Sequence, residues 1–223
     1  MSYIAFIPAR SGSKRVKNKN IIKIKKKPLI YYTLNAAKKS KFISEVYIST
    51  DSKKIKSIVE KFDFEIKKLR PKYLAGDKTS MHKLLKETII NEKKLFSKYK
   101  YLVLLQPTSP LRTCKDIDNA CKKFEENKNV IDCLVSTFKI KNVLDFKRTM
   151  IGNQKIIKKI EKKLNYNQKD QLYQRNGPAI LIIKIKNIKN FLFDKRICNF
   201  IMTKKKSIDI NYYKDIKYLK KII

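Results

Sequence analysis

The sequence predicts an α/β fold: an open, doubly wound, mostly parallel sheet with helices packed on it. Two observations carry this. Short β-branched or aromatic runs alternate with segments whose apolar residues recur at helical spacing, the pattern of successive β–α units. The chain also has only 4 glycines and 6 prolines, and all but Gly152 fall in a few loops, most of which follow a predicted strand. In open α/β sheets that is the edge where ligands bind.

Taken in order, Tyr3 to Ile7 is an apolar run closed by Pro8 and reads as a buried strand. Pro28 opens a helix through about Lys39, with Leu29, Ile30, Thr33, Leu34 and Ala37 on one face. Glu45 to Thr50 is a second strand, after which Asp51 or Ser52 caps a helix bearing Ile55, Ile58, Val59 and Phe62. For Asp51 a plain cap and a ligand role both stay open. Phe64 to Leu69 is predicted as a third strand, and Thr79 to about Leu95 as a helix with His82 on its surface. Tyr99 to Gln106, almost continuously apolar, is the central strand. A helix opening at Asp116 and a strand from Val130 to Phe138 follow. Strands at Ala179–Ile185 and Phe200–Thr203, a short helix near Ile188–Phe193 and a last helix, Tyr212–Ile223, complete the set.

Between them, Lys139 to Arg175 breaks the pattern. It is rich in Lys and Asn, with short apolar pieces at Val143–Phe146 and Ile156–Ile160. Such a stretch inside a compact domain predicts an excursion, a hairpin-like arm reaching a partner, with disorder as the alternative. The whole, residues 1–223, is the size of one domain.

Composition narrows the function classes. A hydrophobic content of 43% fills a core, and no apolar run is long enough to span a bilayer. Pro8 and Arg10 interrupt the N-terminus where a secretory leader would be apolar, so a cytoplasmic protein is expected. The four cysteines make no C-x-x-C pair and the single histidine is His82, which argues against zinc and for plain reduced thiols. A net charge of +36 invites nucleic acid, but 48 lysines against 7 arginines are scattered over every segment. With no RNP strand, zinc finger or helix-turn-helix, a dedicated nucleic-acid-binding module is the weaker reading. Five of the arginines (Arg10, Arg15, Arg70, Arg112, Arg175) sit in the special loops, where a planar fork is wanted and Lys does not serve.

The opening loop, Ile7-Pro8-Ala9-Arg10-Ser11-Gly12-Ser13-Lys14-Arg15-Val16-Lys17-Asn18-Lys19-Asn20, concentrates these signals. Ser11 and Ser13 flank Gly12, and five basic side chains follow one another closely. Backbone N–H groups and cations arranged in this way suit a polyphosphate. No Gly-Lys-Ser/Thr follows, so it is not a Walker loop. On composition alone a basic surface loop remains the alternative.

IPARSGSKRVKNKN, STDS, LRPKYLAGDKTS, LQPTSPLRT, RNGPAIL and SIDIN, in that order, resemble the acylneuraminate cytidylyltransferase family, whose members activate sialic, pseudaminic or legionaminic acid as CMP-sugars. The likeness runs along nearly the whole chain. It implies a Rossmann-like sheet of the nucleotide-diphospho-sugar transferase type, with residues 139–175 as a protruding dimerisation arm of a homodimer. It implies transfer of CMP from CTP to the anomeric hydroxyl of a nonulosonic acid, with Mg²⁺ as cofactor and pyrophosphate as leaving group. By motif, Ala9, Arg10, Ser11, Gly12, Lys14, Lys19, Asn20, Arg70 and Ser80 would bind nucleotide. Gln106, Arg175 and Asn176 would meet the sugar. Lys19, Arg10 and Asp209 would be catalytic, and Asp209 with Asn211 would hold the metal. The family typically has a second aspartate where this chain has Asn211, and a neutral amide lowers the expected metal affinity. A weakened relative is therefore an alternative. So is a 3-deoxy-manno-octulosonate cytidylyltransferase, although that group lacks LQPTSPLRT.

Overall fold

The computed structural model describes residues 2–139, 173–177, 179–190 and 196–223. The arm expected over residues 139–175, apart from its two ends, and Pro178 lie outside these. Seven strands form one sheet. β1 (Tyr3–Pro8) runs parallel between β4 (Ile43–Ser49) and β5 (Tyr101–Leu104). β8 (Leu181–Lys184) is antiparallel between β5 and β6 (Cys133–Lys139). β9 (Ile197–Ile201) joins β6 in parallel, and β7 (Tyr173–Arg175) pairs antiparallel with the last residues of β6. β1, β4, β5, β6 and β9 thus share one direction, as predicted, with β7 and β8 opposing them. A two-stranded ribbon, β2 (Lys23–Ile24) and β3 (Lys27–Pro28), stands apart.

Strand alternation sends side chains to two cores. From β1, Tyr3, Ala5 and Ile7 face α1 (Leu29–Lys38), α2 (Lys53–Glu60) and α5 (Cys114–Asn127), through residues such as Leu34, Val59 and Phe124. Ile4 and Phe6 face α3 (Met81–Asn91) and the short α4 (Lys93–Phe96), through Leu85 and Phe96. Helices therefore cover both faces. A third cluster joins Val16 of the opening loop to Ile24, Leu29 and Ile210, and to Ile216 and Leu219 of α6 (Tyr213–Ile222). Burying Val16 contributes on the order of 1.5 kcal/mol, enough to fix the back of a loop whose other side is polar.

The predicted strand at Phe64–Leu69 is absent. Asp63 adopts φ 63° and turns the chain, and the segment runs without a ladder. Phe64 and Ile66 still pack on the core, which is what its pattern recorded. The predicted helix ending near Leu95 breaks at Glu92, whose backbone leaves the helical region. His82 is half-buried, its Nε2 3.0 Å from the Ile188 carbonyl, not simply a surface residue. Among the described residues no helix is long and apolar enough to cross a membrane.

Candidate active site

The loops after β1, β4 and β5 leave the same edge of the sheet and are tied together by backbone bonds. Ala9 N–H donates to Ser49 O at 2.8 Å, and Arg70 N–H to Thr50 O at 2.7 Å. Ile210 N–H donates to Thr108 O at 2.8 Å, which brings the segment before α6 to the end of β5. Tandem strand–loop units thus deliver residues from five parts of the sequence to one crevice.

In the opening loop, Ser11 donates through both N–H and Oγ to the Asp51 carboxylate, at 2.8 and 2.6 Å. Ser52, not Asp51, caps α2 by accepting from Ile55 N–H. Arg10 Nη1 reaches Asp77 Oδ1 at 2.6 Å and Lys14 Nζ reaches Asp77 Oδ2 at 2.7 Å. These cations hold the Asp77 carboxyl below the usual carboxylate range. A side chain added at Gly12 would meet nothing within 4 Å, so the loop's crown is open on that side. Asn18 sits at φ 56°, a left-handed conformation that Asn tolerates, and this turn sends Lys19 and Asn20 inward. Asn20 is buried and donates through Nδ2 to Arg10 O at 3.0 Å.

Lys19 is half-buried, with Nζ donating to Ile210 O at 2.7 Å. Burial lowers its pKa, while the charge of Asp209 partly restores it. Asn211 Nδ2 donates to Asp209 Oδ2 at 2.8 Å, and Asp209 Oδ1 is buried with no hydrogen-bond partner among the described residues. Gly177, at φ +64°, lies against that carboxylate; a Cβ there would stand 3.4 Å from its carbon. Asp209 also has no cluster of acids around it: among the described residues no three or more His, Cys, Asp or Glu could enclose a metal. One unsatisfied carboxylate oxygen beside an amide fits Mg²⁺ as it is used with nucleotides, held by one or two protein ligands plus phosphates and water. It does not make a closed protein cage. Arg15 stacks on Tyr212, 5.4 Å from the ring centre, and closes the same corner from outside.

Other expected site residues are placed less openly. Arg70 is buried, with Nε and Nη2 donating to Ser49 Oγ and O at 2.9 and 2.6 Å. Burial pushes its guanidinium down to about 10. Ser80 caps α3 by accepting from Lys83 N–H. Gln106 accepts from Thr108 Oγ1 at 3.4 Å through its side chain. Asn176 is buried, accepting from Ser136 Oγ at 2.6 Å and donating to Ser207 Oγ at 3.0 Å. Arg175 lies on β7 opposite Thr137.

Sequence reasoning missed three contributors. Asp77 stood inside a quoted motif, and its signal was the scarcity of acids: 19 against 55 basic residues. For Asp51 a cap and a ligand role were both open; Ser52 takes the cap, and Asp51 holds Ser11. Arg112 is fully buried, with Nη1 donating to Ala179 O at 2.5 Å and Nη2 to Thr33 Oγ1 at 2.7 Å.

A protein-family model described as cytidylyltransferase matches residues 4–222. The chain belongs to the cytidylyltransferase family. This cytidylyltransferase is 30% identical over 220 residues to CMP-N,N'-diacetyllegionaminic acid synthase of Campylobacter jejuni, covering 97% of its own length and 93% of that protein. It is 29% identical over 222 residues to the post-translational flagellin modification protein B of Campylobacter coli, with the same coverage. With N-acylneuraminate cytidylyltransferase of Escherichia coli O18:K1:H7 it shares 38% identity over 133 residues, which span 60% of the chain but 30% of that longer protein. Among solved structures, a CMP:2-keto-3-deoxy-manno-octonic acid synthetase complexed with CTP superposes over 100% of the chain at TM-score 0.74 and 14% identity. At that identity the likeness speaks for the fold alone.

Proposed function

We propose that this cytidylyltransferase transfers CMP from CTP to the anomeric hydroxyl of a nonulosonic acid and releases pyrophosphate. The observation that carries this is the meeting of Lys19, from the opening loop, with Ile210 beside Asp209. It places a half-buried cation and an unsatisfied carboxylate oxygen at one point between the loops after β1 and β5. The full-length legionaminate relative supports the sugar class.

In this reading the N–H and Oγ of Ser11, the open crown at Gly12, and the cations of Arg10 and Lys14 cradle the triphosphate. Asn20, the backbone at Ala9, Arg70 and Ser80 form the nucleoside side. Gln106, Arg175 and Asn176 form the sugar side, with Asn176 bracing the loop that carries Gly177. The sugar hydroxyl forms the new P–O bond at the α-phosphate as the bond to pyrophosphate breaks. Such transfer depends on positioning and charge neutralisation. Lys19 supplies fixed positive charge in a water-poor corner, where it acts most strongly. Asp209 and Asn211 would hold Mg²⁺, which when bound would neutralise phosphate charge. Residues 139–175 would form the interface of a homodimer, tested by sedimentation of the full chain against one lacking the arm.

The direct test is incubation with CTP, Mg²⁺ and a panel of sialic, pseudaminic, legionaminic and octulosonic acids while pyrophosphate is followed. Turnover with a nonulosonic acid is expected; turnover with the octulosonic acid alone would overturn the sugar class. Lys19→Ala should lower kcat by about 10²–10³ with the circular dichroism unchanged. Asn211 favours a second reading, a slow enzyme with weak metal affinity. If Asn211 is limiting, Asn211→Asp raises turnover and lowers the Mg²⁺ needed for half-maximal rate.

A further inference from the structure

The two cations at the mouth of the opening loop are joined to an internal anion. Asp77 meets Arg10 through Oδ1 and Lys14 through Oδ2, so a single carboxylate spans both. Arg10 also reaches Ala75 O at 3.4 Å, on the same loop. Acids number only 19 against 55 bases in this chain. An acid placed between two cradle cations is therefore a departure from the chain's habit. Two carboxylate oxygens, one to each cation, also reproduce the way a phosphate group would bridge them.

We propose that Asp77 is a positioning residue with a competitive role: it occupies Arg10 and Lys14 until a polyphosphate displaces it, and takes them back as pyrophosphate leaves. This rests on the reading of the opening loop as the triphosphate cradle. The pairs are part-exposed, the Asp77 side chain 39% and the Lys14 side chain 81% accessible, so water and salt screen them. A polyphosphate brings several charges and bidentate oxygens against one carboxylate, and so wins. A monophosphate carries less charge than a polyphosphate and displaces Asp77 less readily. The exchange keeps Arg10 and Lys14 oriented in the empty enzyme and helps the leaving pyrophosphate go.

Calorimetric titration of the wild type and Asp77→Asn with inorganic tripolyphosphate, pyrophosphate and CMP, without sugar, tests this. Asp77→Asn should bind tripolyphosphate and pyrophosphate about three- to tenfold tighter, the scale of two exposed ion pairs, with CMP binding little changed. Asp77→Glu should restore the wild-type values, and pyrophosphate should become a stronger product inhibitor of Asp77→Asn. The chain has no tryptophan, so Tyr73→Trp, on the same loop and 58% exposed as tyrosine, gives a single fluorescence reporter. Its emission should change on adding tripolyphosphate and not on adding cytidine. Unchanged or weaker polyphosphate binding by Asp77→Asn, or a silent reporter, overturns the role of Asp77. Failure of the wild type to bind either CTP or tripolyphosphate overturns the cradle reading, and this inference with it.

Discussion

Gly177 is the residue where conformation and chemistry meet most closely. Its positive φ suits glycine, and a Cβ there would come into ordinary van der Waals contact with the Asp209 carboxylate, 3.4 Å from its carbon. Gly177→Ala should cost about 1 kcal/mol or more in urea unfolding from backbone strain. That strain sits against Asp209, so turnover should fall as well. The cysteines offer a separate test. Cys121 and Cys133 are buried, while Cys114 and Cys198 are partly exposed. Burial pushes the Cys121 thiol well up and the Cys133 thiol up to about 11. A raised pKa leaves little thiolate at neutral pH, so native protein should react quickly at Cys114 and Cys198 and at the others only after denaturation. The same shift fixes a sign. Unfolded thiols ionise first, so their contribution is whole below pH 9.0 and for Cys133 fades as pH rises through about 11.

At the scale of elements, α5 shows how much a short stretch can specify. Thr113 accepts from Asp116 N–H, and Asp116 Oδ2 accepts from both Thr113 N–H and Oγ1, a capping box. Asp116 Oδ1 also holds Lys206 Nζ at 2.7 Å, just before the segment that carries Asp209. Thr113→Ala should lower stability by about 1 kcal/mol. Asp116→Ala should lower it further and loosen Lys206, seen as faster amide exchange near Ser207. Periodicity made most elements legible, because each buries one stripe on one sheet face. It misread Phe64–Leu69, where apolar residues pack on the core without a ladder: pattern reports burial, which the segment has, and not strand pairing, which it lacks. At the site, the rarity of Arg, Gly and Pro marked the right loops. It could not separate Arg10, part-exposed at the mouth, from Arg70 and Arg112, which are buried with their forks on the Ser49 and Ala179 carbonyls. Both uses select the same planar donor, and only three-dimensional placement tells them apart.

Over the whole molecule, Arg112 is the joint that connects layers. It links Thr33 of α1, the Gln106 carbonyl at 3.4 Å after β5, and the Ala179 carbonyl before β8, from a fully buried position. Arg112→Ala would take the guanidinium donor from the buried Ala179 carbonyl and from Thr33 Oγ1, while Ser109 N–H still reaches the Gln106 carbonyl, at a cost of about 3 kcal/mol. A fall of that size in the unfolding free energy from urea titration is expected, with Arg112→Lys recovering only part, since an ammonium cannot fork to all three. The bond between Lys19 and Ile210, by contrast, spans 191 residues of sequence. During synthesis the opening loop leaves the ribosome long before its partner does. An unfinished chain can therefore hold the loop but lacks the corner that Ile210 and Asp209 complete. A chain truncated before Ile210 should therefore lack cytidylyltransferase turnover, whatever its opening loop still binds.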